Sequence, residues 1–312
     1  MLSRLLRFAL VLCAFFAAFL VTASSPRNNV TIAVWGDSRE NLDNACEEIA
    51  SILLNDVTGW DVQIHTGDFT HDGSAASWDR SMQYKGMKNL FVQGKMLLCT
   101  SNHDAQEKSG AAGDKRSNWD RWTAGVLPVN DVDSTTHFYA WQKGNVHVIA
   151  LDGYLTDPVR MQTWLDNYLS HVAPDDWIVA AWHNPAYALT YKEPYLPTCG
   201  PWLESLSRHC GVFVVNGHAH LYLRTKPMLP DGTVDDAHGI VHIINGTGGA
   251  SWKDPAEQGS QVAFTPATRS FPCITFLTFE RNVATVRTVD ARPGKNLNVI
   301  DEWRWEKPGA GQ

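Results

Sequence analysis

Five short polar clusters carry the side chains whose types and spacing suit metal chemistry. They are Gly36-Asp37-Ser38-Arg39, Gly67-Asp68, Ser101-Asn102-His103-Asp104, His183-Asn184-Pro185 and Gly217-His218-Ala219-His220. Taken singly, a Gly-Asp pair is typical of a turn, and an Asn or Asp is typical of a helix cap. Two imidazoles two residues apart, however, can point the same way and serve one metal site. Carboxylate, amide oxygen and imidazole without thiolate favour iron, zinc or manganese.

Each cluster follows an apolar run that predicts a buried strand, at residues 30–35, 62–65, 95–99, 177–182 and 212–215, and a sixth such run lies at 146–151. Between these runs, the apolar spacing at 41–54, 77–91 and 161–169 predicts amphipathic helices. The alternation indicates an α/β fold with a parallel or mixed sheet. Because ligands bind at the carboxyl ends of strands in open α/β sheets, we expect the five clusters to converge.

The rest of the sequence predicts one domain without a linker. Strands of a second sheet are predicted at 238–245, 273–279 and 282–289, and the domain is assigned to 29–290 with a C-terminal extension at 291–312. A long polar segment at 105–133 predicts a surface excursion, either a lid over the site or an ordinary insertion. It carries Lys115, Arg116, Trp119 and Trp122.

The ordered clusters resemble those of the calcineurin-like metallophosphoesterase superfamily, and within it the purple acid phosphatase-like branch. Residues 144–152, 162–165 and 245–249 are similar too, so the resemblance covers nearly all of residues 30–290. It implies an α/β fold of two mixed β-sheets packed face to face, with helices on the outside. It also implies hydrolysis of small phosphate mono- or diesters by hydroxide that two divalent or trivalent metal ions activate.

The resemblance assigns the metal ligands position by position. It places Asp37 and His220 on metal one, places Asn102, His183 and His218 on metal two, and makes Asp68 the bridge. A shared carboxylate suits two cations held roughly 3.5–4 Å apart, because it offsets part of their repulsion.

Two further residues are assigned to the leaving group. An alkoxide that leaves at neutral pH needs a proton or a nearby positive charge, which His103 can supply, with Asp104 orienting its ring. The alternative is that His103 is a structural histidine behind the ligands.

Arg39 departs from the family pattern. Most members have a histidine at this position, two residues after the first aspartate, whereas arginine stays protonated and cannot bind a metal. Purple acid phosphatases replace that ligand by a tyrosine three residues after the bridging aspartate, where this chain has His71. We therefore predict that His71 completes metal one; the alternatives are a solvent-exposed loop histidine and a water ligand. Arg39 is either a structural ion-pair partner or a ligand of the phosphate oxygens.

The N-terminal residues 1–23 predict a secretory signal peptide. Arg4 and Arg7 precede 14 apolar residues from Phe8 to Val21, fewer than the roughly 20 that span a bilayer. Cleavage predicts a secreted or otherwise extracytoplasmic protein without a stable membrane anchor. It also leaves 24 basic against 33 acidic residues, which shifts the net charge from -7 to -9 and argues against a nucleic-acid-binding surface.

Export permits disulfides, and Cys199 with Cys210 is the most plausible local pair among the five cysteines of the mature chain. Two other functions compete with the phosphoesterase. One is an exported non-catalytic protein that binds a metal or another ligand on the same fold, which Arg39 favours. The other is a phosphodiesterase of nucleotides or phospholipid head groups, although no amphipathic basic segment is visible. The oligomeric state stays open.

Overall fold

Alternating apolar strands and helices form two β-sheets in the computed structural model. It describes residues 29–55, 59–105, 115–128, 131–132, 137–187, 189–254 and 259–307. The predicted signal peptide and part of the 105–133 segment lie outside these ranges. Within the described residues, no helix has the length and apolar character that crossing a bilayer requires.

The strands begin and end as follows, in chain order: β1 Val30–Trp35, β2 Val62–His65, β3 Met96–Leu98, β4 Asp131–Val132, β5 Tyr139–Lys143, β6 Val146–Ala150, β7 Trp177–Ala181, β8 Val212–Asn216, β9 Tyr222–Thr225, β10 Val241–Asn245, β11 Val262–Phe264, β12 Cys273–Glu280, β13 Val283–Asp290 and β14 Val299–Glu306. The α-helices are α1 Ala45–Asn55, α2 Ala75–Ser81, α3 Lys85–Val92, α4 Lys115–Thr123, α5 Pro158–Leu169 and α6 Leu196–Leu206.

Both sheets are mixed, and each contains a run of parallel neighbours. The first sheet has the order β14-β13-β12-β1-β2-β3, in which β1, β2 and β3 are parallel. The second has the order β11-β9-β10-β8-β7-β6-β5-β4, in which β6, β7, β8 and β10 are parallel. This arrangement brings the ends of β1, β2 and β3 to one edge, and the ends of β7 and β8 to another.

The side-chain alternation of the strands builds three apolar layers. Ile32 and Val34 of β1 pack in the core between the sheets, whereas Ala33 and Trp35 of the same strand pack against α1 to α3. On the second sheet, Val214 of β8 packs in the outer core that α5 and α6 cover. Since successive strand residues face opposite ways, each sheet is apolar on both faces. The fold is therefore the predicted one, two face-to-face sheets with helices outside.

Two segments contain elements that the sequence analysis did not predict. The predicted extension at 291–312 contains β14, which pairs with β13 from Val283↔Glu306 to Val289↔Val299 and forms the edge of the first sheet. The described part of the 105–133 excursion contains α4, whose Trp119 is fully buried, while Trp122 stacks on Trp78 with ring centres 5.9 Å apart. Residues spaced by three lie on one face of a helix, so both rings pack inward.

The predicted pair of Cys199 and Cys210 is wrong. Cys199 is buried in the first turn of α6, and Cys210 is exposed beyond the far end of that helix; both thiols are free. The helix from Cys199 to its end at Leu206 is already about 10 Å long at a rise of about 1.5 Å per residue, more than the roughly 7 Å between Cα atoms that a disulfide tolerates.

Candidate metal centre

The ends of five strands carry the predicted ligands. Asp37 follows β1, Asp68 follows β2 and Asn102 follows β3 in the first sheet, while His183 follows β7 and His218 follows β8 in the second. Backbone hydrogen bonds join the loops, from Asp37 N to the Gly67 carbonyl at 2.9 Å and from Gly217 N to the His183 carbonyl at 2.9 Å. The parallel order within each sheet brings its own strand ends to one edge, and the packing of the two sheets, in which His183 Nδ1 donates to the Thr66 carbonyl, brings the two edges together.

Three of these ligands have a left-handed backbone. The φ angles are 58° at Asp37, 55° at Asp68 and 63° at His218. Each such non-glycine residue costs on the order of 1–3 kcal/mol, and strained residues of this kind cluster at functional sites. Hydrogen bonds hold the strain in place, among them those from His218 N to the two carboxylate oxygens of Asp37 at 3.1 and 3.0 Å.

One group of donor atoms gathers around His183 Nε2. This nitrogen lies 3.0 Å from Asn102 Oδ1, 3.2 Å from His218 Nδ1 and 3.2 Å from Asp68 Oδ1. On the other side of the ring, His183 Nδ1 donates to the Thr66 carbonyl at 2.7 Å, which directs Nε2 into the group. These four residues are those predicted for metal two.

A second group of donor atoms involves Asp37, Asp68 and His220. One ligand atom from each of them lies within 4.8 Å of the others, and all three residues are buried. His220 Nδ1 donates to the Ser251 carbonyl at 2.9 Å, so Nε2 faces Asp37 Oδ1 at 3.5 Å. These are the residues predicted for metal one, and they meet as a three-residue group.

The electrostatics of the two carboxylates fit bound cations. Burial raises the pKa of Asp37, His183 lowers it and the neighbouring Asp68 raises it, and the net result is a pKa of about 7. Burial likewise disfavours ionisation of Asp68, but His183, His103 and Arg39 outweigh it and hold the pKa of that carboxyl well below its usual range. Burial lowers the pKa of His183, but Asp68 and Asp37 outweigh it and raise the pKa to about 9, so that the positive charge of His183 occupies the place that a metal ion would take. Carboxylates and imidazoles of this kind form a donor set that suits iron, zinc or manganese.

His103 lies at the edge of this centre. Its Nδ1 donates to the His71 carbonyl, and its Nε2 points inward, 4.0 Å from Asp68 Oδ2. The side chain keeps 25% of its surface exposed, so Nε2 lies between the ligands and solvent. That position suits a group that meets the leaving side of a substrate.

Asp104 does not orient the His103 ring as predicted, since the His71 carbonyl does so. The buried carboxylate of Asp104 accepts from Thr70 N at 2.7 Å, Thr70 Oγ1 at 2.8 Å and Ser101 Oγ at 2.8 Å. Asp104 therefore holds the loop that follows Asp68. The prediction failed because the Asp104 carboxylate accepts from the nearest available donors, and the loop after β2 supplies them.

His71 is exposed, and its ring centre lies 6.0 Å from that of His103. The compact group of Asp37, Asp68 and His220 does not include it. Arg39, in contrast, is only 11% exposed, and its Nε donates to Asp68 Oδ2 at 3.1 Å while Nη1 donates to Glu40 Oε1 at 2.6 Å. Its ion pair with a predicted ligand matches the structural alternative for this residue.

The sequence analysis missed two residues near metal one. The phenol oxygen of Tyr191 accepts from His220 N at 3.1 Å, and Lys192 lies beside it with its Nζ 5.4 Å from the Tyr191 ring centre. Burial lowers the pKa of Lys192, which the carboxylates of Asp37 and Asp68 oppose. Both residues lie on the loop that follows β7 and carries His183 near its start. Because a predicted ligand lies on the same loop, the sequence could have indicated that they are close to the centre.

Comparisons with known proteins agree with this geometry. Residues 30–222 match the model of the calcineurin-like phosphoesterase family, while no curated protein matches. Purple acid phosphatase PPD1 from yellow lupin (Lupinus luteus) seeds has a similar structure, with a TM-score of 0.65, 16% identity, and coverage of 89% of this chain and 54% of its own. The chain thus spans about half of that phosphatase.

Two other solved structures are similar in fold. PhoD has a TM-score of 0.63 at 12% identity, with coverage of 89% of this chain and 70% of PhoD. GAP50, the anchor in the inner membrane complex of Plasmodium, has a TM-score of 0.61 at 12% identity, with coverage of 90% of both chains. The match of the family model to well over half of the chain establishes that this protein belongs to the calcineurin-like phosphoesterase family.

Proposed function

We propose that this chain is an exported phosphoesterase that depends on two metal ions and hydrolyses phosphate mono- or diesters. The observation that carries the proposal is the convergence of Asp68, Asn102 and His218 on His183, with donor atoms 3.0–3.2 Å from His183 Nε2. The adjoining group of Asp37, Asp68 and His220 supplies a second position that shares the Asp68 carboxylate. When bound, two such ions would polarise the phosphoryl oxygens and make hydroxide available near neutral pH.

The residues of the chain contribute the remaining steps. His103 Nε2, which faces the centre from the solvent side, protonates the departing alkoxide or offsets its charge. The His71 carbonyl fixes the ring of His103, and Asp104 holds the loop beneath it. The N–H groups of Arg39 beyond Nε, together with Lys192, provide positive charge for the phosphate oxygens.

The test combines metal analysis with hydrolysis. The mature chain is purified, its iron, zinc and manganese are measured, and one monoester and one diester model substrate are assayed. We expect Asp68→Asn to lower kcat/KM at least about 10³-fold and to reduce bound metal, because the shared carboxylate is lost. Asp236→Asn, at an exposed aspartate, is the matched control and should change neither. The proposal would be defeated if Asp68→Asn hydrolysed the substrates as fast as the wild type and a chelator did not lower that activity.

A non-catalytic binding protein is the second candidate, which Arg39 in the place of a family ligand favours. It predicts metal or ligand binding without turnover of either substrate. The inward position of His103 Nε2 argues against it, because binding alone has no use for a proton donor at this place.

The proposal of export depends on residues 1–23 of the sequence. Expression of the full chain in a secreting host should yield extracytoplasmic protein that begins close to Ser24. N-terminal sequencing of that material is the measurement, and recovery of an uncleaved chain in the cytoplasm would contradict export.

A further inference from the structure

Arg39 is fixed against one oxygen of the bridging carboxylate. Its side chain donates to Asp68 Oδ2 at 3.1 Å, and its backbone N–H donates to the Asp68 carbonyl at 3.0 Å. Nη1 is bound to Glu40, and only 11% of the side chain is exposed. The guanidinium therefore cannot leave Asp68 without breaking contacts at both of its ends.

The two oxygens of Asp68 consequently have different surroundings. Oδ1 faces His183 Nε2 at 3.2 Å, and its other contact is the backbone N–H of His103 at 3.4 Å. Oδ2 already accepts from a permanent cation, Arg39. The contacts of Oδ1 are thus an imidazole that can lose its proton to become a ligand and a long backbone hydrogen bond, whereas Oδ2 is held by a permanent cation.

The ligand sets of the two positions differ as well. Metal two has four protein donors, from Asp68, Asn102, His183 and His218. Metal one has three, from Asp37, Asp68 and His220, and both oxygens of Asp37 also accept from His218 N. The residue that would supply a fourth donor in most relatives is Arg39 itself.

The charge of Arg39 acts in the same direction. A metal lies about 2 Å from its ligand oxygen, so an ion at metal one would be within roughly 6 Å of the guanidinium. With the dielectric constant of water, a unit charge at that distance weakens the binding of a divalent ion about tenfold, and that of an ion about 1 Å farther away about sevenfold. The charge therefore adds to the difference between the two positions, and the missing donor supplies the larger part of it. Metal two lies on the Oδ1 side, farther from Arg39.

We propose that Arg39 makes the two metal positions unequal, so that metal two holds its ion tightly whereas metal one binds its ion at least tenfold more weakly and exchanges it. The inference depends on the proposed dinuclear centre. In this role Arg39 lowers the affinity of metal one relative to that of metal two, in addition to any contact that it makes with the substrate.

The test measures metal binding directly. The apoprotein is dialysed against increasing free Mn²⁺, bound metal is counted per chain, and the electron paramagnetic resonance spectrum distinguishes an isolated ion from a coupled pair. The wild type should bind one ion first and a second at a free concentration at least about tenfold higher, because metal one lacks a protein donor and lies nearer to Arg39. Asn102→Ala should weaken the first step, and Asp37→Asn only the second.

Substitutions of Arg39 test whether its charge and the missing ligand cause the separation of the two binding steps. Arg39→His removes the charge and restores a ligand, so the two steps should merge; Arg39→Gln removes only the charge and should narrow their separation. Circular dichroism confirms folding, and if Arg39→His fails to fold, Arg39→Gln still gives the answer. Arg80→Gln, at an exposed arginine, should leave both steps unchanged.

Three results would overturn the inference: binding of two ions in one step by the wild type, binding of none, or unchanged separation in both Arg39 variants. The count of metal ions does not depend on turnover. Unequal binding without hydrolysis would therefore defeat the proposed function alone, and equal binding with hydrolysis would defeat only the inference.

Discussion

Gly217, which immediately precedes His218, has no room for a methyl group. A Cβ at this position would lie 2.3 Å from Asp37 Oδ2 and 2.6 Å from Thr66 Oγ1. Since carbon and oxygen in van der Waals contact are about 3.3 Å apart, Gly217→Ala requires the Asp37 carboxylate to move by roughly 1 Å. That carboxylate is fully buried and bonded to His218 N, so the movement also disturbs the strained turn of His218.

The expected effect is large on activity and moderate on stability. A misplacement of about 1 Å at a reacting centre costs on the order of 10²-fold in rate, and an extra buried methyl group costs about 1–3 kcal/mol. The Thr66 carbonyl, which orients His183, is also close to the new methyl group at 3.2 Å. We therefore expect kcat/KM to fall about 100-fold with a loss of bound metal.

The assay compares kcat/KM, bound metal and the denaturation midpoint of the wild type and Gly217→Ala. Gly200→Ala is the matched control, because a Cβ at Gly200 in α6 meets no atom within 4 Å. A Gly217→Ala variant that folds, keeps its metal and retains kcat/KM within about threefold would refute the reasoning.

Three more predictions follow from single residues. His103→Gln should lower kcat about 10²–10⁴-fold for an alkyl ester and much less for a nitrophenyl ester, whose leaving group needs no proton, with bound metal unchanged; equal losses would contradict the acid role. Burial lowers the pKa of His242 to about 3, and within the described residues neither ring nitrogen has a hydrogen-bond partner. Its contribution to stability is complete above pH 6.5 and is lost as the pH falls toward 3, so urea unfolding should show the wild type losing about 2 kcal/mol more than His242→Leu between pH 7 and 5. If the free energy of unfolding changed with pH equally in the wild type and in His242→Leu, the buried His242 would be excluded as the cause. Finally, a thiol reagent should label Cys210 rapidly in the folded mature chain, and the four buried cysteines only after unfolding; a stoichiometry above one before unfolding would contradict the burial.

Much of the fold was predictable because its signals are local. Every strand predicted from the sequence overlaps an observed strand, and β1 and β2 have the predicted ends. Apolar runs between polar clusters are typical of buried strands, and their side-chain period needs no tertiary information. β4, β5, β9, β11, β14 and α4 were missed; β14, for example, alternates exposed with buried or half-buried residues at the edge of a sheet and includes four charged residues, Asp301, Glu302, Arg304 and Glu306.

The sequence by itself determined which residue types follow which strands, and hence which loops carry the six residues of the centre, because parallel strands of one sheet end at a common edge. The meeting of the two edges was decided by the packing of the sheets. Only the tertiary structure decided what each side chain contacts. His183 is oriented by Thr66, 117 positions away, and the His103 ring by the His71 carbonyl rather than by its neighbour Asp104. Arg39 likewise found its partner in Asp68, 29 positions away. Such pairings depend on which unsatisfied donors and acceptors folding brings within about 3 Å, and sequence spacing does not encode that distance.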